Sequence, residues 1–122
     1  MWVYEQSTGN LVSPSALLEG VGYSGHGNGV NNPTMQEVHD VGPCPAGIWA
    51  MSEFFDDPEG KGPMVCRLTP APGTEAFGRA GFMIHGDTVA HDMTASHGCI
   101  ILTRPLREML AASADRVLKV IP

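Results

Sequence analysis

Three side chains able to carry group-transfer chemistry stand close together in this chain: His85, His97 and Cys99. They sit in two short phrases, Ile84-His85-Gly86-Asp87 and Ser96-His97-Gly98-Cys99. A cysteine within reach of an imidazole can form a nucleophile with its own general base, so acyl transfer through a thioester is the leading chemistry. A free thiol, with a pKa of about 8.5, is only slightly ionised at neutral pH, and a neighbouring imidazole is expected to lower that value. Gly98 lets the backbone approach closely, so the N–H groups of Gly98 and Cys99 are the expected donors to a developing oxyanion. Ser96 reads as a loop support through hydrogen bonding and not as the attacking group.

The elements needed to hold such a site can be read from the pattern. Met1 to Gln6 alternates and predicts a strand, Ser7 to Asn10 a turn, and Leu11-Val12 the start of a hairpin partner. Gly20 to Asn32 is rich in glycine and asparagine and reads as a loop, either a lid beside the cleft or a plain surface connection. Gly42 to Gly47 is a turn leading into a strand over Ile48 to Phe55. Asp56 to Gly62 is a polar loop, Met64 to Leu68 a strand, and Pro70 to Gly78 a Pro/Gly-rich connection. Gly81 to His85 is a short central strand ending on the histidine. Thr103 is the expected N-cap of a helix with Pro105 in its first turn and Leu106, Met109 and Leu110 on one apolar face. That helix should run to about Ala114 and be followed by a closing strand from Arg116 to Ile121.

Composition narrows the classes. A chain of 122 residues with 43% hydrophobic and 16% charged residues suits one globular domain with its own core. The net charge of −6 comes with no basic run, which argues against nucleic-acid binding. Fifteen glycines and ten prolines favour a β-rich fold over a helical bundle. No apolar run is long enough to span a membrane, so stable membrane insertion is not expected. The N-terminal residues lack the basic and apolar regions of a secretory signal, so the chain is expected to be made in the cytoplasm without one. The count of three cysteines leaves at least one thiol free. Cys99 is the functional candidate, while Cys44 and Cys66 read as small buried hydrophobes, with a disulfide between them as the alternative.

Ser96-His97-Gly98-Cys99, preceded by Ile84-His85-Gly86, resembles the signature of the YkuD-type L,D-transpeptidases, bacterial enzymes that act on peptidoglycan stem peptides. The short stretch Gly86 to Ala95 between the two phrases is more like a compact branch of that superfamily. Its members are L,D-carboxypeptidase/transpeptidase effectors exported by type VI secretion systems. Tyr4 to Gly9, Gly22 to Gly25, Gly42 to Gly47 and Gly78 to Phe82 are similar to that branch as well. The resemblance implies a mainly β, YkuD-like sandwich or barrel with one or two short helices. It assigns the base to His85 and leaves His97 near the oxyanion or substrate. It also implies an orienting carbonyl just after the base, here Gly86; Asp87, two residues along the same strand face, is the alternative. No cofactor is implied. The implied partners are a stem peptide, an immunity protein and a secretion-system carrier, with delivery to the periplasm of a target cell.

Arg79 could hold a substrate carboxylate through both arms of its guanidinium or could face solvent. Tyr23 could line the cleft; His26, His39 and His91 carry no assigned role. Two other classes stay open at this level. One is a metal-dependent hydrolase with ligands among His85, Asp87, His91, His97 and Cys99, although the spacing matches no familiar zinc motif. The other is a non-catalytic binding or structural module of a secretion or phage particle.

Overall fold

Period-two alternation sends Trp2 and Tyr4 to one face of the first strand, and burial of that pair opens the core. The computed structural model describes Met1–Pro122 and places this strand, β1, at Trp2–Glu5. It turns into β2 (Asn10–Val12) and β3 (Leu18–Val21), as the hairpin reading expects. After Gly22 comes β4 (Tyr23–Ser24), then two isolated 3-10 turns at Gly27–Gly29 and Pro33–Met35. The remaining elements are β5 (Gly47–Met51), β6 (Phe55–Asp57), β7 (Gly62–Pro70), β8 (Met83–His85), β9 (Ile100–Ile101), α1 (Arg104–Ala112) and β10 (Val117–Ile121).

The strands form one sheet in the order β3-β2-β1-β10-β5-β7-β8-β9-β4, with β6 pairing on β7 beside that path. The two ends of the path, β3 and β4, are separated in the chain only by Gly22. The sheet therefore curls back on itself into a nearly closed barrel. At the seam the Gly22 N–H donates to the Gly9 carbonyl at 2.8 Å. A Cβ on Gly22 would lie 2.1 Å from the Ile101 carbonyl oxygen, so only glycine lets the ends meet.

A single cluster of 16 buried residues fills the interior. Trp49 on β5 is its largest fully buried side chain and meets Phe82 edge-on at 5.0 Å. Ile84, Ile100 and Leu118 come in from three different strands. Cys44 and Cys66 are buried, free thiols, so the disulfide alternative does not hold.

Several boundaries differ from the sequence reading. The strand expected over Ile48 to Phe55 is two strands, broken at Ser52. There the backbone N–H donates to the Arg67 carbonyl and the hydroxyl accepts from the Arg67 N–H. The polar loop expected from Asp56 begins inside β6 and tightens into a turn where Gly60 and Lys61 N–H groups donate to Asp57. The Gly20 to Asn32 loop holds the end of β3 and all of β4, with Tyr23 and Ser24 buried.

The helix α1 ends earlier than expected, at Ala112, and the Thr103 side chain makes no capping bond. Leu106 and Leu110 face the core, but Met109 is exposed and Arg107 is buried in its place. The guanidinium of Arg107 goes inward because three carbonyls meet it there, those of Leu102, Pro63 and Met64.

Candidate active site

His85 ends β8, which lies inside the sheet between β7 and β9. β8 and β9 run parallel, with Ile84 opposite Ile100 and His85 opposite Ile101. Both isoleucines point into the core, so His85 and Cys99, each one residue away, share the opposite face. Cys99 lies across from Met83, and His85 is the diagonal neighbour two residues on, a separation that long side chains bridge. The ladder itself thus puts the His85 and Cys99 side chains on one face of the sheet.

The His85 ring is buried and oriented. Its Nδ1 lies 2.8 Å from the Gly86 carbonyl oxygen, which can only accept, so Nδ1 carries the proton. Nε2 therefore presents a lone pair, and it is buried without a protein partner. Of the two orienters considered, Gly86 makes the bond. Asp87 instead accepts from the Tyr23 hydroxyl at 2.7 Å and from the Thr88 N–H at 2.8 Å. Tyr23 is thereby a wall of the Asp87 turn; burial and the Asp87 bond push its phenol up to about 12.

The cysteine loop is organised by Ser96. Its hydroxyl donates to the Cys99 carbonyl at 2.6 Å and accepts from the Gly25 and Gly98 N–H groups at 2.9 and 3.1 Å. The Gly98 amide, one of two expected oxyanion donors, is thus engaged inside the loop, and the Cys99 amide is the remaining candidate. Ser24 adds a second tie, donating to the Gly98 carbonyl and accepting from the Cys44 N–H. Gly98 has φ +138°, and a Cβ there would lie 2.6 Å from the Arg79 guanidinium and 3.0 Å from the Phe82 ring. Residue 98 is glycine for both reasons.

Burial sets the charge state. Desolvation lowers the His85 pKa below its usual 6.5, with Lys61 and Arg107 adding to the effect and the Gly86 bond opposing it. Desolvation raises the Cys99 thiol above its usual 9.0, opposed by a hydrogen bond from the Met83 backbone and by the charges of Lys61 and Arg79. Both shifts favour a neutral thiol beside a neutral imidazole. Burial thus moves the thiol in the direction opposite to the lowering that an imidazole partner is expected to bring.

Arg79 is neither solvent-facing nor free. Its Nη1 donates to the carbonyls of Gln36 and Pro43, and its Nη2 to those of Gly42 and His97. Both arms of the fork are occupied by main chain, which leaves its charge, but not its hydrogen-bonding geometry, for the cleft. His97 is exposed; its Nδ1 lies 3.2 Å from the Asp40 carbonyl, and its ring stacks on His26 at 4.6 Å. His26 and Ser24 are parts of the site that sequence reasoning missed, because they join it only through the fold of the glycine-rich segment.

Two cavities flank the pair, one lined by Cys99 and the other by His85. One, about 250 Å³, is lined by Lys61, Arg79, Phe82, His97 and Cys99 among others. The second, about 200 Å³ and more open, lies on the other side and includes Lys61, His85, Asp87 and Ala95. The largest cavity, about 390 Å³, lies between Tyr23 and the start of α1 and reaches neither Cys99 nor His85. The metal-site alternative fails on geometry. No three His, Cys, Asp or Glu side chains converge, and His91 approaches only Asp87, at 3.5 Å.

The nearly closed β-barrel thus presents an oriented histidine at the end of β8 and a cysteine just before the parallel β9. The chain belongs to the Tlde1 domain family, a type VI secretion effector family, whose model matches residues 19–121. No curated protein and no solved structure matches the chain.

Proposed function

We propose that this protein is a YkuD-like cysteine acyltransferase acting on peptidoglycan stem peptides, working as an L,D-carboxypeptidase and as an L,D-transpeptidase or D-amino-acid exchanger. The observation that carries the reading is the unpartnered Nε2 of His85 on the face shared with Cys99, with Nδ1 already held by Gly86. Membership of a secretion-effector family supports the cell-wall setting.

In the first half-reaction the Cys99 sulfur attacks the carbonyl of the third, L-centred residue while His85 Nε2 takes the thiol proton. The S–C bond forms. The C–N bond to the terminal D-alanine then breaks as His85 returns the proton to the leaving amine. In the second half-reaction water, or the amine of another D-amino acid, attacks the thioester. It gives up its proton through His85 to the departing sulfur. With water the net change is tetrapeptide plus water to tripeptide plus D-alanine. Charge developing on the carbonyl oxygen is met by the Cys99 amide and by the fixed positive charge of Arg79 behind the loop.

Delivery by a type VI carrier to the periplasm of a competing cell, and neutralisation there by an immunity protein, complete the proposal. The decisive experiment is mass spectrometry of purified stem tetrapeptides after incubation with the protein. Loss of one D-alanine, together with a Cys99 acyl adduct of tripeptide mass, is the expected result. Unchanged tetrapeptide and unmodified Cys99 would overturn the reading. Directed to the periplasm, the wild type should arrest growth and the Cys99→Ala variant should not.

A further inference from the structure

Seven lysines and arginines are present, and only Lys61 and Arg79 line the two cavities that flank the site, the one reaching Cys99 and the one reaching His85. Arg79 donates to four main-chain carbonyls and has no free fork. Lys61 differs in every respect. It is exposed, it forms no salt bridge, and it borders both cavities at once. Its backbone is fixed, because its N–H donates to the Asp57 side chain at 3.0 Å in the tight β6–β7 turn. Its charge is felt at both reacting groups.

The chemistry says what such a cation would meet. The leaving amine must approach His85 Nε2 to collect its proton, so the departing residue occupies the cavity on the His85 side. In a C-terminal amino acid the carboxylate sits on the carbon bearing that amine. The carboxylate is therefore carried into the same cavity, where Lys61 is the only cation. The one carboxylate there, Asp87, is occupied by Tyr23 and the Thr88 N–H.

We propose that Lys61 is the residue that recognises the free carboxylate of the D-amino acid, both when it leaves and when one enters in exchange. This rests on the acyl-transfer reading above and deepens it. Lys61 makes the protein select the end of a stem peptide over an internal bond, a distinction that Cys99 and His85 cannot make.

The test compares a tetrapeptide stem ending in a free D-alanine carboxylate with the same peptide ending in the carboxamide. Wild type, Lys61→Met and Lys61→Arg are each assayed for KM and kcat. Wild type should prefer the acid, and the preference should shrink with added salt. Lys61→Met should raise KM for the acid by roughly three- to tenfold, the range for a solvent-accessible charge-assisted contact, and leave KM for the amide unchanged, while any change in kcat from the charge lost beside Cys99 and His85 falls on acid and amide alike. Lys61→Arg should restore the preference. Persistence of the acid preference in Lys61→Met overturns the assignment. An equal rise in KM for acid and amide also overturns it, since Lys61 would then not be reading the carboxylate. Absence of any Cys99 adduct in the wild type with either peptide is a different failure, that of the acyl-transfer reading itself.

Discussion

The two halves of the site are held by different means. His85 sits on a strand whose position is fixed by neighbours on both sides, and the Leu102 N–H donates to the His85 carbonyl at 3.1 Å. Cys99 ends an irregular segment, and its loop is fixed by side chains: the Ser96 hydroxyl, the Ser24 hydroxyl and the Arg79 guanidinium. Each half also contains a buried arginine with no carboxylate partner. Arg107 ties α1 to β7 and to the end of β9, joining regular elements. Arg79 ties together Gln36, Gly42, Pro43 and His97, loop residues distant in sequence. His85, the proposed base, is thus positioned by the ladder, and Cys99, the proposed nucleophile, by a network of side-chain hydrogen bonds, which makes the Cys99 half the more sensitive to single substitutions.

The sharpest break of that comparison removes the reacting atoms. Cys99→Ala should abolish turnover with little change in melting temperature, because the thiol edges a cleft and contributes little to the core. His85→Ala should slow turnover by about 10²- to 10⁴-fold, the usual contribution of a general base. His97→Ala should do much less, since His97 is exposed and bonds only to the Asp40 carbonyl. Steady-state product release on a stem tetrapeptide reads all three. A larger loss in His97→Ala than in His85→Ala would reverse the assignment of the base.

The next effect falls on the arginines. Arg79→Met leaves four carbonyls without their donor and should cost about 3 kcal/mol of stability, with kcat falling because the Cys99 loop loosens. Arg107→Met leaves three, within elements that keep their own ladders, and should cost about 2 kcal/mol with a smaller change in kcat. Urea denaturation and kcat measured on the same preparations check the ranking. If Arg107→Met costs more kcat than Arg79→Met, the base and not the nucleophile is the less secure half.

The same contrast explains what the sequence made legible. His85, Ser96, Gly98 and Cys99 announce themselves because the chemistry demands those residue types within a short span, and the strands because burial of one face repeats every second residue. A β-rich fold follows from the glycine and proline content and the alternation, whereas the barrel is implied only by the resemblance to the YkuD-type enzymes. Arg79 and Arg107 were not legible, because their partners are backbone carbonyls, and a carbonyl has no residue type to read. Helical spacing alone placed Met109 inside and said nothing of Arg107, since the three carbonyls that draw it in come from β7 and from the residue after β9. Lys61 was invisible for the complementary reason: a lysine in a polar turn has no pattern until the fold puts that turn beside the cysteine.

The smallest expected effect is on pH dependence, and it separates the two halves by charge. His85 has its pKa lowered in the folded state by desolvation. The unfolded chain therefore binds a proton at this site before the folded one does, and stability declines as pH falls from the usual 6.5 toward the lower folded value. One proton sets the limit of that slope at about 1.4 kcal/mol per pH unit. His85→Gln should remove this component, visible as a shallower acid-side slope in a pH series of urea midpoints. Activity follows the same sign. The acid limb of kcat/KM should lie below 6.5, where His85 gains its proton, and the alkaline limb above 9.0, where the raised Cys99 thiol ionises. Arg79→Met should move the alkaline limb further up by removing a charge that favours the thiolate, and leave the acid limb in place. Arg107→Met should raise the acid limb, because Arg107 is one of the charges that hold His85 neutral. A common shift of both limbs in either variant would mean that the two halves are electrostatically one unit, however differently they are held in place.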